Sequence, residues 1–225
     1  MLITATKPLF AWDCLEDSPS LATIKAVLAA IPDAKLLDGL RQARGHGRDD
    51  YPVHALWGVV VLTIALRHPT FEACLGDLRR NEALRRLIGI EGEEQVPRKW
   101  NISRFLDVLG EEPHRTRVRE AFDLMVQRLG MAVPDLGKNT AGDATALHAR
   151  RKGNVAQVTA EEQAGLPQPN GGRKEYFDDR GAVTNVYEWF GYKLHLIVDV
   201  KHEVVLAYQI TSATTDDAGT LPTTL

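Results

Sequence analysis

The chain has 225 residues, 44% apolar and 25% charged, a composition that excludes wholesale disorder and allows one large domain or two ordinary ones. Its 27 Lys+Arg against 30 Asp+Glu leave a formal charge of -3, so any contact with nucleic acid has to come from local basic clusters and not from a globally cationic surface. The two cysteines, Cys14 and Cys74, fit neither a metal spacing nor a disulfide framework and read as inert thiols in a reduced, cytosolic setting.

The first ten residues carry no apolar core of the kind a signal peptide needs. From Ser20 to about Arg128 the pattern is helical. Ser20 is placed to cap a helix with Leu21, Ile24, Val27, Leu28 and Ile31 on one stripe, interrupted by Pro32 and Asp33. A short helix follows through Leu36, Leu37 and Leu40, then a glycine- and charge-rich loop from Gly45 to Asp50. Pro52 opens a helix through Trp57 and Leu66 that is apolar nearly all round, so other helices must pack about it. The run from Val53 to Leu66 is also too short for the roughly 20 residues a bilayer span requires. Pro69 and Thr70 open the next helix, with Phe71, Cys74, Leu75 and Leu78 on one face. Asn81 to Ile88 continues or restarts it, and Arg79, Arg80, Arg85 and Arg86 line the opposite side, where a solvated face is expected. After a charged loop at Glu91 to Gln95, Asn101 or Ser103 caps a helix through Phe105, Leu106 and Leu109. The last helix, Pro113 to Arg128, is expected to bury Val118, Phe122, Met125, Val126 and Leu129.

Past Val133 and Pro134 the period changes from 3.6 to 2. Gly137 to Leu147 reads as a weak strand ending near Asp143. From Val186 to Val200 the residues alternate, with Leu194, Leu196, Val198 and Val200 on one face and Lys193, His195, Ile197 and Asp199 on the other. A polar turn from Asp199 to Glu203 leads into a second strand, Val204 to Thr211, which completes an antiparallel hairpin. The interval 149–184 holds the basic triplet Arg150, Arg151, Lys152 and a Gly/Pro/Gln-rich stretch. It reads as a long surface excursion, too polar to hold a core.

Three segments in order resemble the start of the catalytic domain of DDE transposases from bacterial insertion sequences. They are Gly142-Asp143-Ala144-Thr145-Ala146-Leu147, the run Trp189 to Asp199, and Thr211-Ser212-Ala213-Thr214-Thr215-Asp216-Asp217. The upstream helices resemble the helical N-terminal domain of the same proteins. The resemblance implies an α+β chain: an all-helical domain over 1–132, then over 133–225 an incomplete ribonuclease-H-like mixed sheet contributing its first three strands.

It further implies an enzyme that cleaves DNA and transfers strands, in the bacterial cytoplasm at the nucleoid and away from membranes. Its expected partners are double-stranded DNA at element ends and target, and further copies of itself. Such chemistry uses two Mg²⁺ or Mn²⁺ ions about 3.5 to 4 Å apart, each taking one or two protein carboxylates plus phosphate oxygens and water. On this resemblance Asp143 is the first catalytic Asp and a metal ligand, and Thr145 stands at a supporting position. Arg150, Arg151, Lys152 and Lys193 are candidate phosphate contacts, which give salt-dependent affinity without sequence readout.

The second Asp and the Glu find no place. Asp199 suits a hairpin turn, and Asp216 and Asp217 suit a helix N-terminus better than a metal site. The chain is thus expected to be a truncated and inactive portion of such an enzyme. The alternatives are a non-catalytic DNA-binding or oligomerising remnant, and an unrelated helical interaction protein with a β-hairpin appended.

Overall fold

The computed structural model describes residues 19–45, 50–149 and 165–216. The chain is α+β and divides into two compact units, Met1–Met125 and Val126–Leu225. Seven α-helices come first among the described residues: α1 Pro19–Ala30, α2 Ala34–Arg44, α3 Val53–Ala65, α4 Phe71–Arg80, α5 Glu82–Leu87, α6 Lys99–Gly110 and α7 His114–Ala132. Four strands follow: β1 Thr140–His148, β2 Asn170–Phe177, β3 Val183–Asp199 and β4 Val204–Ser212. None of the described helices is long and apolar enough to cross a membrane.

The helical unit is organised around α3, which touches α1, α2 and α4. Its all-round apolar sequence leaves it no solvent face over most of its length, and Val59 and Leu62 are wholly buried. With Leu36, Leu75, Leu78 and Ile102, they form a continuous core in which each such side chain contributes about 1.5–3 kcal/mol. Gly58 permits one close approach there, since a Cβ at that position would lie 2.4 Å from Cγ2 of Ile88. Asp33, expected only as a helix interruption, accepts the indole N–H of Trp57 at 2.7 Å and ties the start of α2 to α3.

The helix starts follow local chemistry. Thr70 accepts from the Ala73 N–H at 3.2 Å, and Asn81 accepts from Leu84 at 3.1 Å, so α5 is a restart and not a continuation of α4. At α6 the expected cap lies inside the helix: the Asn101 side chain reaches back to the Arg98 N–H at 2.9 Å, and the helix begins at Lys99. α7 runs beyond Arg128 to Ala132, and Met125 is exposed where a buried position was expected. Cys74 is buried, and that burial pushes its thiol up, in keeping with an inert side chain.

The four arginines of α4 and α5 do not share a solvated face. Arg80 and Arg86 do pair on the surface, with Asp77 and Glu82. Arg85 instead turns inward, 8% exposed, and donates to the carbonyls of Leu78 and Arg79 at 2.9 and 2.8 Å. These carbonyls lie in the last turn of α4 and have no partner further along that helix, so a cation is well placed there. Arg85→Ala is expected to cost about 2 kcal/mol, because hydrogen bonds to a charged group are worth about 1.5–3 kcal/mol. Denaturant unfolding checks this, and a change below about 0.5 kcal/mol, the range of ordinary surface substitutions, overturns it.

In the β unit, β3 is the central strand. Its C-terminal half pairs antiparallel with β1 (Thr140 opposite Asp199, His148 opposite Gly191) and, on its other edge, with β4 (Asp199 opposite Val204, Tyr192 opposite Ser212). The hairpin read from the sequence is present. Two expectations change. All four strands pair antiparallel, where a mixed sheet was expected. The 149–184 interval also contains a strand, for β2 pairs with the N-terminal half of β3, from Asn170 opposite Gly191 to Phe177 opposite Val183. β2 has almost no buried face, so nothing in its hydrophobicity announces it. Its partner is a 17-residue strand that outruns β4 and leaves its N-terminal half unpaired without β2.

Candidate functional site

Asp143 is the fourth residue of β1, in its interior and not at its end. The segment before the strand is turned at Gly137, which has φ +81°, so pairing starts only at Thr140 and continues to His148. The Asp143 side chain is exposed, and Oδ1 accepts the N–H of Ala144 at 2.8 Å. Directly opposite residues of an antiparallel pair share a face, so Asp143 lies with Leu196 and Thr145 with Leu194. Lys193 pairs with Ala146 and therefore projects from the opposite face. Asp143 and Lys193 are not brought together. The ammonium of Lys193 donates to the Thr215 carbonyl at 2.7 Å, which fixes the chain leaving β4.

Arg150, Arg151 and Lys152 lie outside the described residues, as does Asp217. Asp216 is exposed beyond the end of β4. Asp199 takes the turn role: fully buried, it accepts from Gly137 N at 2.6 Å and from His202 N at 2.8 Å.

Among the described residues no three His, Cys, Asp or Glu side chains come together as a metal centre. Both Asp199 oxygens already hold backbone N–H groups, so Asp143 stands alone as the exposed carboxylate of β1. The described donors do not fit a two-ion site.

The face that bears Lys193 has a different character. A cleft of about 330 Å³ opens there, floored by the small side chains of Ala144 and Ala146. The cations of this face are Lys174 and Lys193; Arg173 borders the cleft from the other face of β2, where it is paired with Glu175 at 2.5 Å. The aromatic wall of the cleft is Tyr176, Tyr187 and Trp189. Trp189 is buried beneath Tyr187, the two rings stacked at 5.8 Å and 24°. A Cβ on Gly172 would lie 2.4 Å from that indole, so glycine is what lets β2 pass over it. The Tyr187 hydroxyl lies 2.6 Å from Nε2 of His148, which fixes the ring's orientation.

No protein-family model, curated protein or solved structure matches this chain. The chemistry of the two faces is therefore the ground for a functional reading.

The polar face also holds His195, wholly buried, with Nε2 2.8 Å from the Thr211 hydroxyl and no hydrogen-bond partner for Nδ1 among the described residues. The alternation identifies its face but not its burial. The aromatic and cationic residues of β2 were missed with the strand itself. A signal for them exists: Asp178-Asp179-Arg180-Gly181 is a turn sequence, and Gly172, Lys174 and Tyr176 alternate toward it as Tyr187 and Trp189 do away from it. In the structure Asp178 closes this turn by accepting from Arg180 and Ala182.

Proposed function

We propose that this chain is a DNA-handling protein of the DDE transposase kind, from a bacterial insertion sequence, with Asp143 as the first carboxylate of the cleavage and strand-transfer site and duplex DNA as partner. The observation that carries this reading is the exposed Asp143 inside β1, paired through β3 to β4. The resemblance calls for a carboxylate at the end of the first strand of a ribonuclease-H-like sheet, and an exposed Asp143 on a first strand that belongs to an antiparallel sheet supports the reading, from the strand's interior. The cationic cleft on the opposite face adds support, because cations beside aromatic rings suit phosphate and base together. The second reading, a non-catalytic DNA-binding form, is favoured by one fact: no other carboxylate joins Asp143 among the described residues. No cleavage step is assigned to those residues.

Duplex binding tests the shared part of both readings. Affinity is expected to fall steeply with salt, and replacing Arg150, Arg151 and Lys152 by alanine is expected to flatten the log–log slope by about 0.9 for each phosphate contact removed. Duplex affinity that is absent, or indifferent to salt, overturns both readings. Strand joining separates them. The 225-residue chain is expected to join no DNA ends with Mg²⁺ or Mn²⁺; joining that Asp143→Asn abolishes would establish the catalytic reading for this chain and overturn the account of its lone carboxylate.

A further inference from the structure

The β2–β3 ribbon arranges its exposed side chains in a repeating order. Lys174 lies opposite Tyr187, and Tyr176, two residues further along β2, is diagonal to Tyr187 on the same face. The Lys174 ammonium sits 5.7 Å from the Tyr176 ring centroid. Lys174 thus stands over one exposed ring, Tyr176, and across the ribbon from a second, Tyr187, the two being 45% and 40% exposed. The deeper ring, Trp189, is covered by Tyr187, and His148 holds Tyr187 from its edge, so the platform is ordered before anything binds. Lys193 extends the positive charge along the cleft.

Ring, cation, ring is the complement of base, phosphate, base. A duplex keeps its bases stacked within the helix and offers the ribbon only phosphates, whereas an unpaired strand offers both groups in alternation. We propose that the face of the β2–β3 ribbon binds an unpaired DNA strand, a phosphate at Lys174 and successive bases on Tyr187 and Tyr176. The assignment to DNA rests on the reading given above; the preference for an unpaired strand rests on the ribbon alone.

The test uses the full chain and fluorescence anisotropy with labelled oligo-dT of about ten nucleotides, a length within the roughly 4–16 that comparable sites cover, against a duplex of equal length. Oligo-dT is expected to bind more tightly than the duplex. Tyr187→Ala and Tyr176→Ala are each expected to weaken oligo-dT by about five- to a hundredfold, the range a lost stacking contact gives, and to leave duplex affinity unchanged. Tyr187→Phe, which keeps the ring, is expected to retain oligo-dT binding. Tyr176→Ala removes an exposed ring only, whereas Tyr187→Ala also uncovers the Trp189 indole, so Tyr187→Phe, which keeps the stack, is its control. The proposal is overturned if oligo-dT affinity is unchanged in both alanine variants, or if duplex and oligo-dT affinities fall together. Duplex binding that persists in that case leaves the DNA reading standing, whereas failure of both ligands to bind overturns it too. Tighter binding of oligo-rU than of oligo-dT overturns the assignment to DNA.

Discussion

Gly191→Ala is expected to destabilise the β unit by about 3 kcal/mol or more, the upper range for forcing extra volume into a packed position. Gly191 is where β3 changes partners: His148 at the end of β1 and Asn170 at the start of β2 are both registered against it. A Cβ at this position would fall 2.0 Å from the Leu147 carbonyl oxygen and 2.7 Å from the Ala149 nitrogen. Both are backbone atoms and cannot swing aside as a side chain end can. Relief requires β1 to leave β3 at its C-terminal end, which breaks the bond from Ala149 N to Phe190 O, 2.9 Å in the native chain. Gly171→Ala, twenty residues earlier and with open space around its would-be Cβ, is the control, expected within about 0.5 kcal/mol of the parent. The buried indole of Trp189, whose N–H donates to the Tyr192 carbonyl at 3.0 Å, supplies an NMR signal for unfolding in this region. Equal midpoints for the two alanine variants would sink the argument.

The contrast between these glycines shows which parts of the fold were legible in the sequence. The core of the helical unit was, because it is built from a repeat that a 3.6 period sorts, although Val27 and Met125, assigned to apolar faces by the same period, are exposed. Leu36 and Leu40, or Leu75 and Leu78, fall on the faces the spacing assigns, and Thr70 and Asn81 cap where short polar residues precede apolar runs. Arg85 was not legible. Its helical position is on the polar side, and only the turn between α4 and α5 brings its guanidinium back onto the preceding carbonyls. The β4 hairpin was legible from alternation. β2 was not, since a ribbon with two wet faces carries no apolar signal, and its existence depends on the length of β3.

The candidate site divides in the same way. Asp143 was found as a residue, but its face was not, because the face depends on register: a shift of one residue would place it beside Lys193. The position of Lys193 in the sequence suggests a phosphate contact, whereas its bond to the Thr215 carbonyl is a long-range consequence of the chain returning past β4. The cleft residues come from two strands, one of which the pattern hides. A site that spans such a pair emerges only once the pairing is known.

Asp199 gives the second large effect, and a pH dependence with a definite sign. The carboxylate holds Gly137 before β1 and His202 in the β3–β4 turn, so one side chain fixes both the entry to the sheet and its hairpin. Burial on its own would raise the Asp199 carboxyl. The N–H groups of His202, Gly137 and Lys201 outweigh it, and the carboxyl sits below its ordinary value. A carboxyl depressed in the folded state contributes stability that is fully present above its unfolded pKa of about 3.9 and is lost as pH falls through the lower folded value. The β unit is therefore expected to keep its unfolding midpoint from neutral pH to about pH 5 and to lose it progressively below about pH 4, followed again at the Trp189 indole. Asp135, lowered by its bonds to Lys201 and His202, adds in the same direction from the surface. Asp199→Ala is expected to lower the midpoint already at neutral pH and to remove much of the acid dependence, because the N–H groups of Gly137 and His202 lose their acceptor whatever the pH. Asp143→Asn is expected to change neither, since that carboxylate is exposed and receives only the neighbouring Ala144 N–H. An acid transition of undiminished size in Asp199→Ala would place the titrating group elsewhere. A midpoint as low in Asp143→Asn would mean that the β1 carboxylate serves the fold and is not held free for a ligand.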